Sequence, residues 1–485
     1  MAHRSQRLTR RAFLTIAAGT AGAGLLAACG GPATQTPVTA PPVAPTTARG
    51  GTSAAGATPR ATASSASSAS SASSTVMPAS GTAFNNVKIQ AWLFGDTGGD
   101  VNLEAQTTRR IVEAFGQRYQ GRIAVDITPI ANPDTDYQDK VQSAAAAKQL
   151  PDVLQLDGPF VADYAYRKIL GPIGDYFTPD DLRDFVPSII EQGTWRGKLW
   201  SLGAFSSSMG VMINQTLFAQ AGIAAPIDIP SAWPWPRFAE AARRLTGNGV
   251  RGLDMHLDYG VSDWFTYAVS PFIWSAGGDL LAPDQSTATG FVNGPAAINV
   301  LTEFQRLFKD DSISATPDPK AFEKGQVAMQ IIGPWVIAGF KDFPDLNWAI
   351  MPLPYFATKV SPSGSYTWGI SSTTKNSAAA AELLRWLVAT DSGIVPIVET
   401  NKLPPARRSA YPKLPFYATA PYALYGEQLR QTAKARPVTP AYPVLTAKFA
   451  EAVNDIALGS PVQERLNAVA RAVDDDIARN NGYRS

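Results

Sequence analysis

Residues 150–158 read Leu-Pro-Asp-Val-Leu-Gln-Leu-Asp-Gly, and they are the strongest local indication of the fold class. Residues 152–156 form a short, largely apolar run that follows a proline and ends at Asp157 and Gly158. Such a run between turn residues is typical of a buried strand that leads into a loop.

Two further strands are predicted upstream of this one, at Val87–Phe94 and 123–128. Residues 107–119 and 137–150 separate the three strands and have apolar residues at helical spacing. The order strand, helix, strand, helix, strand predicts an α/β fold with a parallel, doubly wound sheet.

A second block of alternating elements follows in the chain. Its predicted strands are 210–214 and 327–332, and its predicted helices are 236–245, 298–308, 378–389 and 462–479. Asn376 stands just before the helix at 378–389 and is a candidate N-cap.

Several segments, taken in order, resemble one known family. They are residues 150–158, 212–218 (Met-Ile-Asn-Gln-Thr-Leu-Phe), 235–238, 274–278, 322–335 and 435–437. The sequence resembles the extracellular solute-binding proteins of ABC importers, of the carbohydrate-binding class, over about 86–477. Residues 212–218 are similar to a "YNKDLF" crossing segment of that family, but Gln215 and Thr216 replace its Lys and Asp.

The resemblance implies a two-lobed, periplasmic-binding-protein-like type II fold with the ligand in a cleft between the lobes. We expect lobe one to comprise residues 84–207 and 372–432, and lobe two to comprise 208–371 and 433–485. Ligand would bind at the carboxyl ends of strands and close the lobes about a hinge. The implied function is capture of a sugar or oligosaccharide and delivery to the permease subunits of an ABC transporter.

The N-terminus is predicted to be a signal peptide, residues 1–28. Four arginines and no acid precede an apolar run that is too short for a permanent membrane span. Residues 9–14, Thr-Arg-Arg-Ala-Phe-Leu, resemble a twin-arginine export signal, with a Sec-type signal as the alternative. Residues 26–29, Leu-Ala-Ala-Cys, resemble the lipobox of bacterial lipoproteins. This resemblance implies a lipid on Cys29 and a location on the outer face of the cell membrane.

Residues 29–83 are predicted to be a lipidated cysteine and a disordered linker. From Gly30 the chain is almost wholly Ala, Ser, Thr, Pro and Gly, with Arg49 and Arg60 as its charged residues. Such a composition buries too little apolar area to offset its ordering entropy. A flexible tether of that length spans roughly 40 Å, and an O-glycosylated stalk is the alternative.

Charge and cysteine content limit the possible partners. Loss of residues 1–28 lowers the formal charge from +2 to about −2. A nearly neutral body argues against nucleic acid or an anionic membrane surface as the main partner. With its one cysteine acylated the chain has none left for a disulfide. We expect a monomer without a cofactor.

A sugar site needs flat aromatic rings for the C–H faces and polar groups for the hydroxyls. From the eleven tryptophans we expect stacking platforms at Trp92, Trp264, Trp274, Trp335 and Trp368. Asp96 and Asp157 follow strands and would accept hydrogen bonds from hydroxyls, and Arg408 is a candidate donor from a loop. Strand tryptophans are also typical of cores, aspartates also form turns, and Arg408 could be solvated. A phosphate in the ligand would favour Arg408 and disfavour Asp157.

Other function classes receive less support from the sequence. A Ser-His-Asp hydrolase would have to use His256, since the chain's other histidine is His3. The sequence has no G-x-S-x-G elbow, no phosphate-binding glycine loop and no Cys or His cluster, so we expect no enzyme and no metal site. A carboxylate-based glycosidase and a sensory or adhesive lipoprotein on the same fold remain alternatives.

Overall fold

The computed structural model describes residues 84–95, 102–130 and 136–484, which belong to one unit, Ser74–Ser485. The predicted signal peptide, Cys29, the linker and Asp96 lie outside the described residues. No helix within the described ranges is long and apolar enough to cross a membrane.

The first elements, from Val87 to Asp157, alternate between strand and helix as the sequence pattern predicts, whereas later parts of the chain contain consecutive strands and consecutive helices. The strands are β1 Val87–Phe94, β2 Ile123–Ile130, β3 Val153–Asp157, β4 Leu170–Gly171, β5 Thr194–Trp195, β6 Lys198–Leu199, β7 Ser201–Gly203, β8 Gly210–Asn214, β9 Met329–Ile332, β10 Trp348–Met351, β11 Ser361–Ser363, β12 Tyr366–Ser371 and β13 Ala433–Ala435. The α-helices are α1 Leu103–Arg118, α2 Asp136–Ala147, α3 Val161–Tyr166, α4 Pro179–Asp184, α5 Pro187–Gly193, α6 Gln215–Gln220, α7 Trp235–Leu245, α8 Trp264–Ser275, α9 Pro295–Lys309, α10 Ser377–Ala389, α11 Asp391–Asn401, α12 Ala423–Gln431, α13 Tyr442–Ala457 and α14 Val462–Arg479.

Lobe one is built on a six-stranded sheet with the order β2-β1-β3-β12-β4, in which β7 also pairs with β12. β1 is parallel to both β2 and β3, which confirms the predicted doubly wound core. The carboxyl ends of β1 and β3, at Phe94 and Asp157, therefore lie at the same edge of the sheet.

The position of β12 corrects the expected lobe boundary. Residues 366–371 were expected in lobe two, but β12 runs antiparallel to β3, with Tyr366 opposite Asp157 and Trp368 opposite Gln155. The pattern of apolar residues in a strand does not indicate which of two sheets the strand joins. The chain therefore returns to lobe one before Tyr366, and the lobe-one sheet is mixed.

Lobe two contains a three-stranded antiparallel sheet, β10-β8-β9, surrounded by helices. Apolar faces of α8, α9 and α13 meet through Phe272, Phe304 and Phe449, all of which are buried.

The segments that connect the lobes lie side by side. β11 pairs in parallel with β13, and Ser207 bridges to Gly364. Three passages of the chain therefore form one crossing region, which is where a hinge would act.

Asn376 stands directly before α10. It occupies the N-cap position, as predicted, but its side-chain amide donates to the carbonyl of Lys88 at 3.3 Å instead of capping the first turn.

Candidate ligand-binding cleft

A cavity of about 1050 Å³ opens between the two lobes. Lobe one contributes the first turns of α1, the end of α11 and the edge formed by β1, β3 and β12. Lobe two contributes the turn at Leu257–Tyr259, the start of α8 and the 3-10 segment Pro334–Asp342. The principal lining side chains are Phe94, Glu104, Thr108, Gln155, Asp157, Asp258, Tyr259, Asp263, Trp264, Tyr267, Lys320, Trp335, Tyr366, Asn401 and Arg436.

Four rings of lobe two form one side of the cavity, which we call the aromatic wall: Tyr259, Trp264, Tyr267 and Trp335. The Trp264 ring lies edge-on to Tyr259 and to Trp335, with centroid distances of 5.2 and 6.2 Å. The indole nitrogen of Trp264 donates to the carbonyl of Met255 at 3.0 Å, which fixes the ring. The wall is thus a rigid apolar surface before any ligand arrives.

Trp335 reaches this wall because of the glycine that precedes it by two residues. Gly333 directly follows β9, and a Cβ atom placed on it would overlap the Trp335 ring. The ring is half-buried and packs against both hydrophobic cores. The Gly-Pro-Trp sequence therefore holds an indole across the cavity between the lobes.

Lobe one supplies a smaller surface opposite the wall. Phe94 and Tyr366 lie at the sheet edge with ring centroids 4.6 Å apart. Gln155 Oε1 accepts a hydrogen bond from the Phe94 amide at 3.0 Å, which fixes the side chain of Gln155 beside the rings. This side therefore presents both aromatic rings and a fixed polar side chain to the cavity.

A network of buried charges, which we call the charged bridge, lies at the base of the cavity and consists of Asp157, Arg436 and Asp263. Arg436 donates to both oxygens of Asp157, at 2.9 Å from Nη1 and 3.0 Å from Nη2. Its Nη1 also donates to Asp263. Asp263 accepts further hydrogen bonds from the hydroxyls of Tyr442 and Thr446.

The charged bridge joins the two lobes, because Asp157 ends β3 of lobe one and Asp263 precedes α8 of lobe two. Arg436 follows β13 in the crossing region, and its side chain is 4% exposed. Burial raises the pKa of Asp157 to about 6, although Arg436 acts in the opposite direction. Two carboxylates thus share one guanidinium in a nearly dry environment.

Glu104 is a second acid with a shifted pKa in the cavity. It lies in the first turn of α1, and its Oε2 accepts from Asn401 Nδ2 at 3.2 Å. Burial raises the pKa of Glu104 to about 7, and the hydrogen bond from Asn401 lowers it only in part.

The sequence model of the family described as "Bacterial extracellular solute-binding protein" matches residues 101–394. The chain belongs to this family. A solute-binding protein of this family works outside the cytoplasm, and the cleft is where its two lobes can enclose a solute.

Solved structures share the two-lobed fold of this solute-binding protein. An ABC substrate-binding protein from Listeria monocytogenes in complex with cycloalternan matches with a TM-score of 0.70 and 20% identity, covering 81% of this chain and 100% of that one. The cyclic α-maltosyl-1,6-maltose binding protein from Arthrobacter globiformis matches with a TM-score of 0.67 and 24% identity, over 81% and 100% of the chains. An α-D-tagatose-bound ABC transporter solute-binding protein from Thermotoga lettingae matches with a TM-score of 0.68 and 21% identity, over 80% and 99%.

Three of the residues expected from the sequence line the cleft of this solute-binding protein: Asp157, Trp264 and Trp335. Each stands at the end of a strand or the start of a helix that faces the cavity. Asp157 is already paired with Arg436, so only part of its hydrogen-bonding capacity faces a ligand.

Four other expected residues lie elsewhere, and the structure does not bring them to this cavity. Trp92 and Trp368 are in strand interiors and pack in the two cores, since strand side chains are covered by helices on both faces. Trp274 is buried at the end of α8 and donates to Asp279 at 2.9 Å. Arg408 is exposed and donates to the carbonyl of Arg183.

Several lining residues of the solute-binding protein were not expected from the sequence. Arg436 lies in the quoted segment 435–437, but its partners are distant in sequence and only the fold brings them together. Glu104 lies three residues before the predicted helix 107–119, whereas no predicted element adjoins Tyr259 or Tyr366, whose turn and strand only the structure shows.

Proposed function

We propose that this protein is an extracytoplasmic lipoprotein that binds a neutral oligosaccharide in the interlobe cleft and delivers it to the permease of an ABC importer. The observation that supports this most strongly is the aromatic wall facing a set of polar side chains across one cavity. Rings stack on the C–H faces of sugars, and carboxylates and amides accept and donate to the hydroxyls.

The charges in the cleft favour a neutral ligand over a phosphorylated one. The lining contains four acidic residues, Glu104, Asp157, Asp258 and Asp263, against the bases Lys320 and Arg436. Arg436 is already paired with two carboxylates, so it has little capacity left for an anion. An anionic ligand would meet a net negative surface.

The size of the cleft favours an oligosaccharide over a single sugar. Its volume of about 1050 Å³ slightly exceeds the range of about 300–1,000 Å³ that is common for ligand pockets. Structural neighbours described as bound to cycloalternan and as binding cyclic α-maltosyl-1,6-maltose support the same ligand class.

Capture would proceed by closure of the lobes. Lobe one would comprise residues 84–207 and about 366–432, and lobe two the remainder of the body, with the crossing region of β11 and β13 as the hinge. Ligand that contacts both lobes at once stabilises the closed state, and the permease would recognise that state.

Anchoring at the membrane would rest on Cys29 in the lipobox-like segment 26–29. A lipid there, followed by the Ala/Ser/Thr/Pro-rich linker, would keep the two lobes close to the permease while they open and close. Several acyl chains on one cysteine would hold the protein stably, whereas a single chain holds only marginally.

A thermal-shift screen tests the proposed ligand class. Maltotetraose, cyclic glucans, tagatose and an inorganic phosphate control are added to the purified full chain. A bound ligand at about 100 times its Kd adds about 2.7 kcal/mol of stability, which raises Tm by roughly 3 °C for a body of roughly 400 residues. Chromatography of the recovered sugar separates binding from catalysis. No shift with any sugar contradicts the proposal, and sugar hydrolysis by the purified protein supports a glycosidase instead.

A further inference from the structure

Asp254, His256 and Asp258 converge directly behind the aromatic wall. The Nδ1 atom of His256 lies 3.8 Å from an Asp254 oxygen and 3.5 Å from an Asp258 oxygen. One ligand atom from each of the three residues can be chosen so that all lie within 4.8 Å of one another.

Both nitrogens of the His256 ring lack a hydrogen-bond partner in the described part of the chain, although the ring is almost fully buried. His256 is 4% exposed, and neither ring nitrogen makes a hydrogen bond of normal geometry. Oδ1 of Asp258 is likewise buried without a hydrogen-bond partner. Unsatisfied buried polar atoms are costly, so Nδ1 of His256 and Oδ1 of Asp258, which lie 3.5 Å apart, indicate that another group binds between them.

The charge of the cluster indicates what kind of group this is. Within the described residues, Asp254 and Asp258 make ion-pair contacts with His256 alone. No lysine or arginine nitrogen in these residues lies within 4.0 Å of their carboxylate oxygens. Gln330, whose amide points to Met212 Sδ at 3.6 Å, is the neutral neighbour of the ring. Even a protonated His256 would leave one negative charge, whereas a divalent cation with a neutral histidine balances both carboxylates.

We propose that Asp254, His256 and Asp258 bind a divalent transition-metal ion, with Zn²⁺ as the best fit. A histidine nitrogen with two carboxylate oxygens suits Zn²⁺, whereas Mg²⁺ and Ca²⁺ prefer oxygen ligands alone. Ligand bonds of about 2.1 Å place two ligand atoms of a tetrahedral ion about 3.4 Å apart. The two distances from Nδ1 are close to that value, and a small rotation of the carboxylates would close the site.

The backbone already holds two of the three ligands in place. Oδ1 of Asp254 accepts from the His256 amide at 2.8 Å, which leaves Oδ2 directed at the ring. The Asp254 amide donates to the carbonyl of Met329 at 2.8 Å, so the site is anchored to the end of the lobe-two sheet. Asp258 lines the cleft, which gives an ion a way in and leaves a coordination position for water.

The ion would stabilise the aromatic wall from behind. The Tyr259 ring stacks on His256 with centroids 5.0 Å apart and an interplanar angle of 25°. Trp264 packs edge-on against the same imidazole at 5.9 Å. Fixing the imidazole therefore fixes two rings that face the cleft. The effect of these rings on ligand binding rests on the proposed function, whereas metal binding itself does not.

No metal site was expected from the sequence, because the chain has no Cys or His cluster. The pattern Asp254-x-His256-x-Asp258 contains one histidine. Its side chains converge because His256 has a left-handed backbone, with φ 55° and ψ 51°, which turns the chain at the central ligand.

Calorimetric titration of the full chain with ZnCl₂ tests the proposal without any sugar. The protein is purified through an affinity tag that lacks histidine and is treated with a chelator. We expect one Zn²⁺ per chain, lost in His256→Ala and weakened at least about tenfold in Asp258→Asn, since even residues that only orient a ligand cost about 10–100-fold. Asp284→Asn, at an exposed turn of lobe two, is the matched control and should bind as the wild type does.

Circular dichroism and the melting temperature show whether each variant is folded. If His256→Ala does not fold, Asp258→Asn alone still tests the proposal. X-ray absorption at the zinc edge should show nitrogen and oxygen ligands at about 2.0–2.2 Å. Binding that persists unchanged in both His256→Ala and Asp258→Asn would assign the ion to another site, such as His3. The absence of stoichiometric binding would identify the cluster as a protonated histidine with two aspartates. Either result overturns the proposal.

Discussion

Replacement of Arg436 by methionine is expected to destabilise the protein strongly at neutral pH. The guanidinium is 4% exposed and donates to two carboxylates from opposite lobes. Methionine fills similar space but leaves Asp157 and Asp263 buried without a cation. Removal of one partner from a buried ion pair costs about 3–5 kcal/mol, because the remaining charge stays desolvated.

The size of the effect on Tm follows from the size of the body. Unfolding entropy is about 2.1 cal/mol/K per residue, or roughly 0.8 kcal/mol/K for roughly 400 residues. A loss of about 3–5 kcal/mol therefore lowers Tm by roughly 4–6 °C. Arg251→Met is the control, since its side chain is 37% exposed and pairs with Asp311 at the surface. That change should cost less than about 1 kcal/mol.

The loss in Arg436→Met should also depend on pH. Without the guanidinium, burial raises the pKa of Asp157 unopposed by Arg436, so protonation of Asp157 relieves its buried charge as the pH falls. Scanning calorimetry at pH 8 and pH 5 should show a smaller loss at pH 5, and a further change of both aspartates to asparagine should restore stability at pH 8. A loss under about 1 kcal/mol, or one equal at both pH values, would refute the charged bridge as a stabilising link between the lobes.

Three further outcomes are expected. Glu104 has a pKa raised to about 7, so the stability it contributes is present below its ordinary pKa of 4.5 and is lost as the pH rises through 7. Glu104→Gln should therefore gain in Tm relative to wild type between pH 5 and pH 8, and parallel melting curves would contradict this. Gly333→Ala should displace the Trp335 ring and weaken oligosaccharide binding in calorimetry about as much as removal of the ring does. Gly116→Ala in α1, which is outside the cavity lining and whose added Cβ has nothing within 4 Å, should bind normally. Cys29→Ser should shift the protein from the membrane to the soluble fraction with an unchanged Tm, and persistent membrane association would indicate another anchor.

The fold was predictable because its signals are local and periodic. The helix Val462–Arg479 and the strands Val87–Phe94 and Gly210–Asn214 have the bounds that the sequence pattern predicts. β12 was assigned to the wrong lobe, because its apolar run fits either sheet and only pairing with β3 decides between them.

The cleft was predictable in part. Asp157 and Trp335 follow strands whose ends face the cavity, which the sequence pattern can indicate. Trp92 and Trp368 also belong to buried strands, but their side chains pack in the cores. The alternation of side chains along a strand does not indicate which face is covered by a helix. Arg436 is 279 residues from Asp157 in the chain, so no local pattern could indicate their contact.

Calorimetric titration of the wild type, Trp335→Ala and Trp348→Ala with maltotetraose shows whether the aromatic wall binds the sugar. Both tryptophans are half-buried in lobe two, but only Trp335 is among the described side chains that line the cavity. Loss of the Trp335 ring should weaken binding by roughly 1–3 kcal/mol, or about 5–150-fold in Kd, while Trp348→Ala leaves Kd unchanged. Wild-type affinity in Trp335→Ala, or equal weakening in both variants, would contradict a sugar site built on the aromatic wall.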